Sequence, residues 1–144
     1  MNLKKLYQLV CKEWSNLTFE IDKETRSEIS FSAELSVDGY DDDISFIVDA
    51  TDEGDLTITC LFDKLQPTLA NYELVNEFNS MTNFYKAYIM KGNNGAFFSL
   101  EYNFIAFIKQ SEKELLELVS AGLRSLTMDS TKKYLQPIAQ LTQQ

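Results

Sequence analysis

From Ser27 the chain alternates apolar and polar residues with a period of two. Ile29, Phe31, Ala33, Leu35 and Val37 are interleaved with Ser30, Ser32, Glu34 and Ser36, the pattern of a strand with one face buried. Asp38-Gly-Tyr-Asp-Asp-Asp43 then has turn chemistry. Ile44, Phe46, Val48 and Ala50 alternate again, Thr51-Asp-Glu-Gly-Asp55 turns the chain, and Leu56, Ile58, Cys60 and Phe62 form a third run. Three strands joined by short acidic turns predict an antiparallel meander.

Helical spacing flanks the meander on both sides. Leu3, Leu6, Tyr7, Val10 and Trp14 make one stripe over about 3–14. After Pro67, a helix from about Thr68 or Asn71 to Met81 is expected to bury Leu74, Val75, Phe78 and Met81. Strands over 84–90 and 96–106, joined by Gly92-Asn-Asn-Gly95, predict a long hairpin. Ser111 and Glu114 have capping-box spacing and open a helix to about Thr127, with Leu115, Leu116, Val119, Leu123 and Leu126 along one face. Ser130–Leu141 either forms a further short helix, limited by Pro137, or frays. The expected fold is α+β: helix, three-strand meander, helix, hairpin, helix, with a five-stranded antiparallel sheet and helices on one face. Residues 1–128 form the single domain and 129–144 a tail or short helix.

The hairpin has large residues on both sides. Phe84, Tyr88 and Met90 are read as opposing Tyr85, Ala87 and Ile89, with Phe97, Tyr102 and Phe104 against Phe98, Leu100 and Ile105. An apolar sheet face without helices over it points to an interface.

With 144 residues, 44% of them hydrophobic and 24% charged, the chain is long enough to bury a core without disulfides or metals. Lys12 and Glu13 interrupt any signal-peptide core near the N-terminus, and no apolar run approaches the roughly 20 residues of a membrane span, so a cytoplasmic home is expected. Cys11 and Cys60 fall at apolar positions and read as buried free thiols. The sequence has no histidine, which removes the commonest general base and metal ligand.

The net charge of −9 lies wholly in residues 1–56, with 14 carboxylates against 5 Lys and Arg; the remainder holds 8 of each. Such an acidic surface disfavours nucleic acid and anionic membranes and favours a basic protein partner, unless it serves solubility alone. Asp38, Asp41, Asp42 and Asp43 lack the alternating order of an EF-hand loop and its final bidentate Glu, so a solvated turn is the better reading. Asp49, Asp52, Glu53 and Asp55 crowd the far end of the same strand, and the two clusters together are taken as an acidic end of the molecule. Carboxylates in exposed turns lack the burial that would split their pKa values for acid–base catalysis. Lys91-Gly-Asn-Asn-Gly95 lacks phosphate-loop spacing and leads into a strand. Cys60 has no histidine to activate it. No catalytic, metal or cofactor-binding residue is assigned, and the chain is read as a non-enzyme.

Leu74-Val-Asn-Glu-Phe-Asn79, the strand-turn-strand Ala87–Tyr102 and the helix opened by Ser111-Glu-Lys-Glu-Leu-Leu-Glu-Leu118 together resemble the YbjN family and the wider bacterial type III secretion chaperone-like fold. The motif likeness covers about 70–128 and the order of elements extends it to the N-terminus. It implies a small, often acidic, often dimeric domain that binds other proteins; in secretion chaperones the sheet and first helix grip an extended, partly unfolded client segment. The tail after Asp129 and the very acidic meander depart from that pattern. The expected function is a chaperone- or adaptor-like protein-binding domain, able to dimerise, whose partner-binding residues are Tyr40, Asp41, Asp42, Asp43, Tyr88 and Phe97. Tyr40 is included because nothing in the periodicity buries it. The competing expectation is an acidic immunity or inhibitor protein that neutralises a basic nuclease or nucleic-acid-binding protein.

Overall fold

The strands sort their residues by parity. In β2 (Glu28–Leu35), β3 (Ile44–Thr51) and β4 (Leu56–Lys64), the positions Ile29, Phe31, Ala33, Leu35, Ile44, Phe46, Val48, Ala50, Leu56, Ile58, Cys60 and Phe62 are all buried. Their neighbours Ser32, Ser45, Ile47, Thr57 and Thr59 stay partly exposed on the other face. This computed structural model describes residues 1–142, so the expected tail of 129–144 lies outside the described residues at 143–144.

The sheet has six antiparallel strands in the order β1-β2-β3-β4-β6-β5, where β1 is Glu20–Glu24, β5 Lys86–Gly92 and β6 Gly95–Phe104. β1 corrects the expected count of five. It is a short edge strand of sequence Glu-Ile-Asp-Lys-Glu, exposed apart from Ile21, and its ladder shifts between Ile21 and Lys23. Its carboxylates leave little apolar pattern to read, and they discourage pairing by other chains.

Helices α1 (Leu3–Glu13), α2 (Leu69–Met81), α3 (Glu112–Ser125) and α4 (Asp129–Leu141) complete the fold. α1 packs beside α3 and against β2, where Tyr7 meets Phe31 edge-on at 5.3 Å. Trp14 ends α1 and its indole N–H donates to Ser120 Oγ of α3 at 2.9 Å. The Ser111–Glu114 capping box is formed with both of its hydrogen bonds.

α3 lies unusually close to the sheet because Gly122 has no side chain. A Cβ there would sit 2.8 Å from the Tyr85 hydroxyl and 3.0 Å from Ile58 Cδ1. The enclosed Tyr85 hydroxyl donates to the Gly122 carbonyl at 2.8 Å. Burial raises the Tyr85 pKa, and it pushes the neighbouring Cys60 thiol up to about 12.

The segment after Asp129 is a full helix despite Pro137, which removes one intrahelical hydrogen bond. Leu135, Ile138 and Ala139 are buried as α4 packs on α2, and that burial outweighs the proline. α4 is also latched to the β2–β3 turn. Lys132 Nζ pairs with Asp38 at 2.6 Å, and Gln136 Nε2 donates to the Asp38 carbonyl at 3.3 Å. Residues 129–142 therefore share the core of the domain and do not fray.

Two further expectations are corrected. Met81 is 54% exposed at the end of α2, which buries Val75 and Phe78. Phe84, Tyr102 and Phe104 belong to the helix side: Phe84 stacks on Tyr102 with ring centroids 4.2 Å apart, and Phe104 pairs with buried Leu56.

Candidate functional site

The face turned away from the helices is mostly polar, which corrects the expectation of an apolar uncovered face: Phe84, Tyr102 and Phe104 lie on the helix side instead. Paired rows run Ser30–Asp49–Thr57–Asn103 and Ser32–Ile47–Thr59–Glu101–Lys86 across the strands. Apolar residues gather at one corner, where β4, β6 and β5 approach the Gly92–Gly95 turn. Tyr88 opposes Ser99, which in turn opposes Leu61, and Phe97 opposes Met90. Leu61 (37%), Tyr88 (44%) and Met90 (47%) are exposed, and Phe97 is half-buried. Leu61, Phe62, Met90, Lys91, Gly92 and Phe97 line a shallow, mainly apolar cavity of about 360 Å³.

The strand pairing that creates this corner puts Tyr88 and Phe97 on the same face of adjacent strands, as their sequence positions suggested. Ser99 sits between Tyr88 and Leu61, fully enclosed, and its Oγ has no hydrogen-bond partner among the described residues. A buried hydroxyl left unpaired in this way is uncommon.

β5 is also the outer strand of the sheet, and its backbone is half-closed. The Asn79 side chain accepts from Ala87 N–H at 2.6 Å and donates to the Ala87 carbonyl at 3.1 Å, so one amide stands in for a neighbouring strand. Ala87 therefore faces outward, and in an unshifted ladder Ile89 and Lys91 face the same way. Their outward N–H and C=O groups have no partner among the described residues. β5 carries Lys86 and Lys91 and no carboxylate, unlike the acidic β1 edge.

The other expected contact residues behave differently. Tyr40 is buried at 8% exposure, packed edge-on against Phe62 with centroids 5.4 Å apart, and Phe62 in turn meets Phe98 at 5.0 Å. Its burial comes from tertiary packing, which a periodicity argument along the turn does not detect. Asp41, Asp42 and Asp43 are exposed in the β2–β3 turn, with Asp43 accepting from Ser36 Oγ at 3.0 Å. Lys132 beside Asp38 holds that carboxyl below its ordinary range.

The two acidic clusters do not form one end of the molecule. The β2–β3 and β3–β4 turns cap opposite ends of β3, an eight-residue strand, and so lie roughly 25 Å apart at about 3.4 Å per residue. Asp55 has a structural task, accepting from Ala106 N–H at 2.8 Å. Among the described residues no three His, Cys, Asp or Glu side chains are grouped to hold a metal, and no helix is long and apolar enough to cross a membrane.

One exposed feature was missed from the sequence. The segment expected to end the last strand leaves the sheet after Phe104, and Ile105 (66%), Phe107 (94%) and Ile108 (75%) stand in solvent. Their mixed spacing, with Phe107 and Ile108 adjacent just before Lys109-Gln-Ser111, is the signal against a continuing strand. Comparison of the chain with protein-family models, curated proteins and solved structures found no match.

Proposed function

We propose that this chain is a non-catalytic protein-binding domain that takes an extended segment of a partner protein along β5 and into the adjoining apolar corner. The observation that carries this reading is the juxtaposition of backbone groups unpaired among the described residues, at Ile89 and Lys91, with exposed Leu61, Tyr88 and Met90. An added strand gains main-chain hydrogen bonds from such an edge and side-chain specificity from the pocket beside it. The resemblance to secretion-chaperone-like domains, in which an extended client is gripped, suggests the same mode, although β1 and α4 are additions to the order of elements on which it rests. Lys86 and Lys91 on the edge favour a client segment with carboxylates beside its apolar residues.

The competing reading, an acidic inhibitor of a basic nuclease, draws on Asp41, Asp42 and Asp43. It receives less support because the second cluster lies at the other end of β3, which divides the negative surface. The test is capture of partners from native lysate by the chain and by its Tyr88→Asp and Phe97→Asp variants, each checked for native helix content by circular dichroism. Loss of capture in folded variants is expected. Undiminished capture by both, or capture lost instead in an Asp41/Asp42/Asp43→Asn variant, would refute the reading.

A further inference from the structure

We infer that this chain self-associates head to tail, with the 105–108 loop of one copy seated in the Leu61–Met90–Phe97 corner of the next. The inference rests on the corner being a docking surface, as in the reading above, and names a second copy as an occupant.

The first argument is shape. Ile105, Phe107 and Ile108 form a projection in which Phe107 is 94% exposed, while Leu61, Met90 and Phe97 line a concave apolar site of about 360 Å³. That volume lies within the roughly 300–1,000 Å³ range of sites that enclose small apolar groups.

The second argument is placement. The projection follows one end of β6 and the corner lies at the other, across a strand of 10 residues, so a molecule cannot fill its own corner. A surface patch that complements a pocket elsewhere on the same molecule makes heterologous contacts that repeat from copy to copy.

The third argument is charge. The β3–β4 turn touches the projecting loop: a Cβ on Gly54 would lie 3.0 Å from Gln110 and 3.4 Å from Ala106. That contact puts Asp52 and Glu53 beside the projection. The corner has Lys64 and Lys91 at its rim, with Gly95 3.9 Å from Lys64 Cε. Lys109 beside the loop and Asp63 beside the corner repeat the same complementarity with the signs reversed.

An aromatic side chain buries roughly 150–250 Å², so one such ring and its neighbours give a contact below the roughly 1,200 Å² of stable complexes. The association is therefore weak and concentration-dependent.

Sedimentation equilibrium of the full chain from about 1 μM to 1 mM is expected to show a weight-average mass that rises with concentration and passes the dimer without a plateau. Phe107→Ser and Met90→Glu change exposed side chains and keep the fold, as circular dichroism would verify. Each alone is expected to weaken association at least about 30-fold, the size of an interface hot spot. A one-to-one mixture of the two is expected to form a dimer and nothing larger, since one variant keeps the corner and the other keeps the loop.

A wild-type chain that stays monomeric overturns the inference. So does a Phe107→Ser chain that associates normally, or a mixture that stays monomeric. Association retained by Met90→Glu but lost by Phe107→Ser would mean loop-to-loop pairing and also overturns it. Partner capture by Phe107→Ser, whose corner is intact, reports on the proposed function separately.

Discussion

Replacing Gly122 by alanine sets a helix preference against a packing contact, and the structure predicts which one wins. In a helix interior alanine is favoured over glycine by about 1 kcal/mol, and the benefit is smaller in the last turns of α3. Against this, the new methyl would lie 2.8 Å from the Tyr85 hydroxyl, 3.0 Å from Ile58 Cδ1 and 3.4 Å from Phe84 Cε1. Tyr85 is 1% exposed, so its ring has no open space to move into. Either α3 backs away from β4, or the hydroxyl gives up its 2.8 Å bond to the Gly122 carbonyl. Either response costs about 1–3 kcal/mol, and the helix gain offsets less than about 1 kcal/mol of it, so Gly122→Ala should destabilise the fold by up to about 3 kcal/mol. Urea unfolding followed by circular dichroism measures this. Tyr85→Phe removes the clashing atom, so Gly122→Ala made in that background should cost at least about 1 kcal/mol less than in the wild type. A stabilised Gly122→Ala chain, or a strictly additive double-mutant cycle, would refute the close-approach argument.

Two other outcomes follow from buried polar groups. Asn79→Ala removes both bonds to Ala87, whose residue is 1% exposed, and should cost about 1–3 kcal/mol and speed exchange of the Ala87 amide; unchanged exchange at that amide would rule out the clamp. Cys60 has a folded-state pKa of about 12 against an ordinary 9.0, so its contribution to stability is complete below about pH 9 and is lost as the pH rises toward 12. At about 1.4 kcal/mol per pH unit, alkaline titration should remove about 2–3 kcal/mol by pH 11. A Cys60→Ala chain should show a flatter decline between pH 9 and 10, and an equal slope in both chains would contradict the assignment.

The elements legible in the sequence were those whose burial has a regular period. β2, β3 and β4 alternate cleanly because one face is covered, and α1 and α3 repeat at helical spacing for the same reason. β1 was missed because an exposed edge strand has one half-buried side, marked only by Ile21. α4 is ambiguous in the sequence because Pro137 argues against a helix, while the contacts that override it come from α2 and the Asp38 turn. The candidate site was half legible. Tyr88 and Phe97 could be placed on one face from the hairpin, but the helix-side positions of Phe84 and Tyr102 depend on stacking across strands. Tyr40 gives no local sign of its burial, because that burial is on Phe62, a residue 22 positions away. The Asn79 clamp has no sequence signature, since an asparagine near the end of a helix usually caps it or faces solvent.

The two edges of the sheet differ in how they treat their unpaired backbone groups, and the proposed reading places the partner at the β5 corner and not the acidic meander for that reason. Every open sheet must deal with two rows of unpaired backbone groups. β1 does so with charge: Glu20, Asp22 and Glu24 make the approach of another strand unfavourable. β5 uses a side chain instead, and Asn79 closes the frame at Ala87 alone. The frame at Ile89 and Lys91 remains open, at the point where the outer face turns from polar rows to Leu61, Tyr88, Met90 and Phe97. Backbone groups left unpaired beside an apolar cavity offer little protection against pairing by another strand. If that stretch is occupied as proposed, the Asn79 clamp sets how far along β5 an incoming strand can pair.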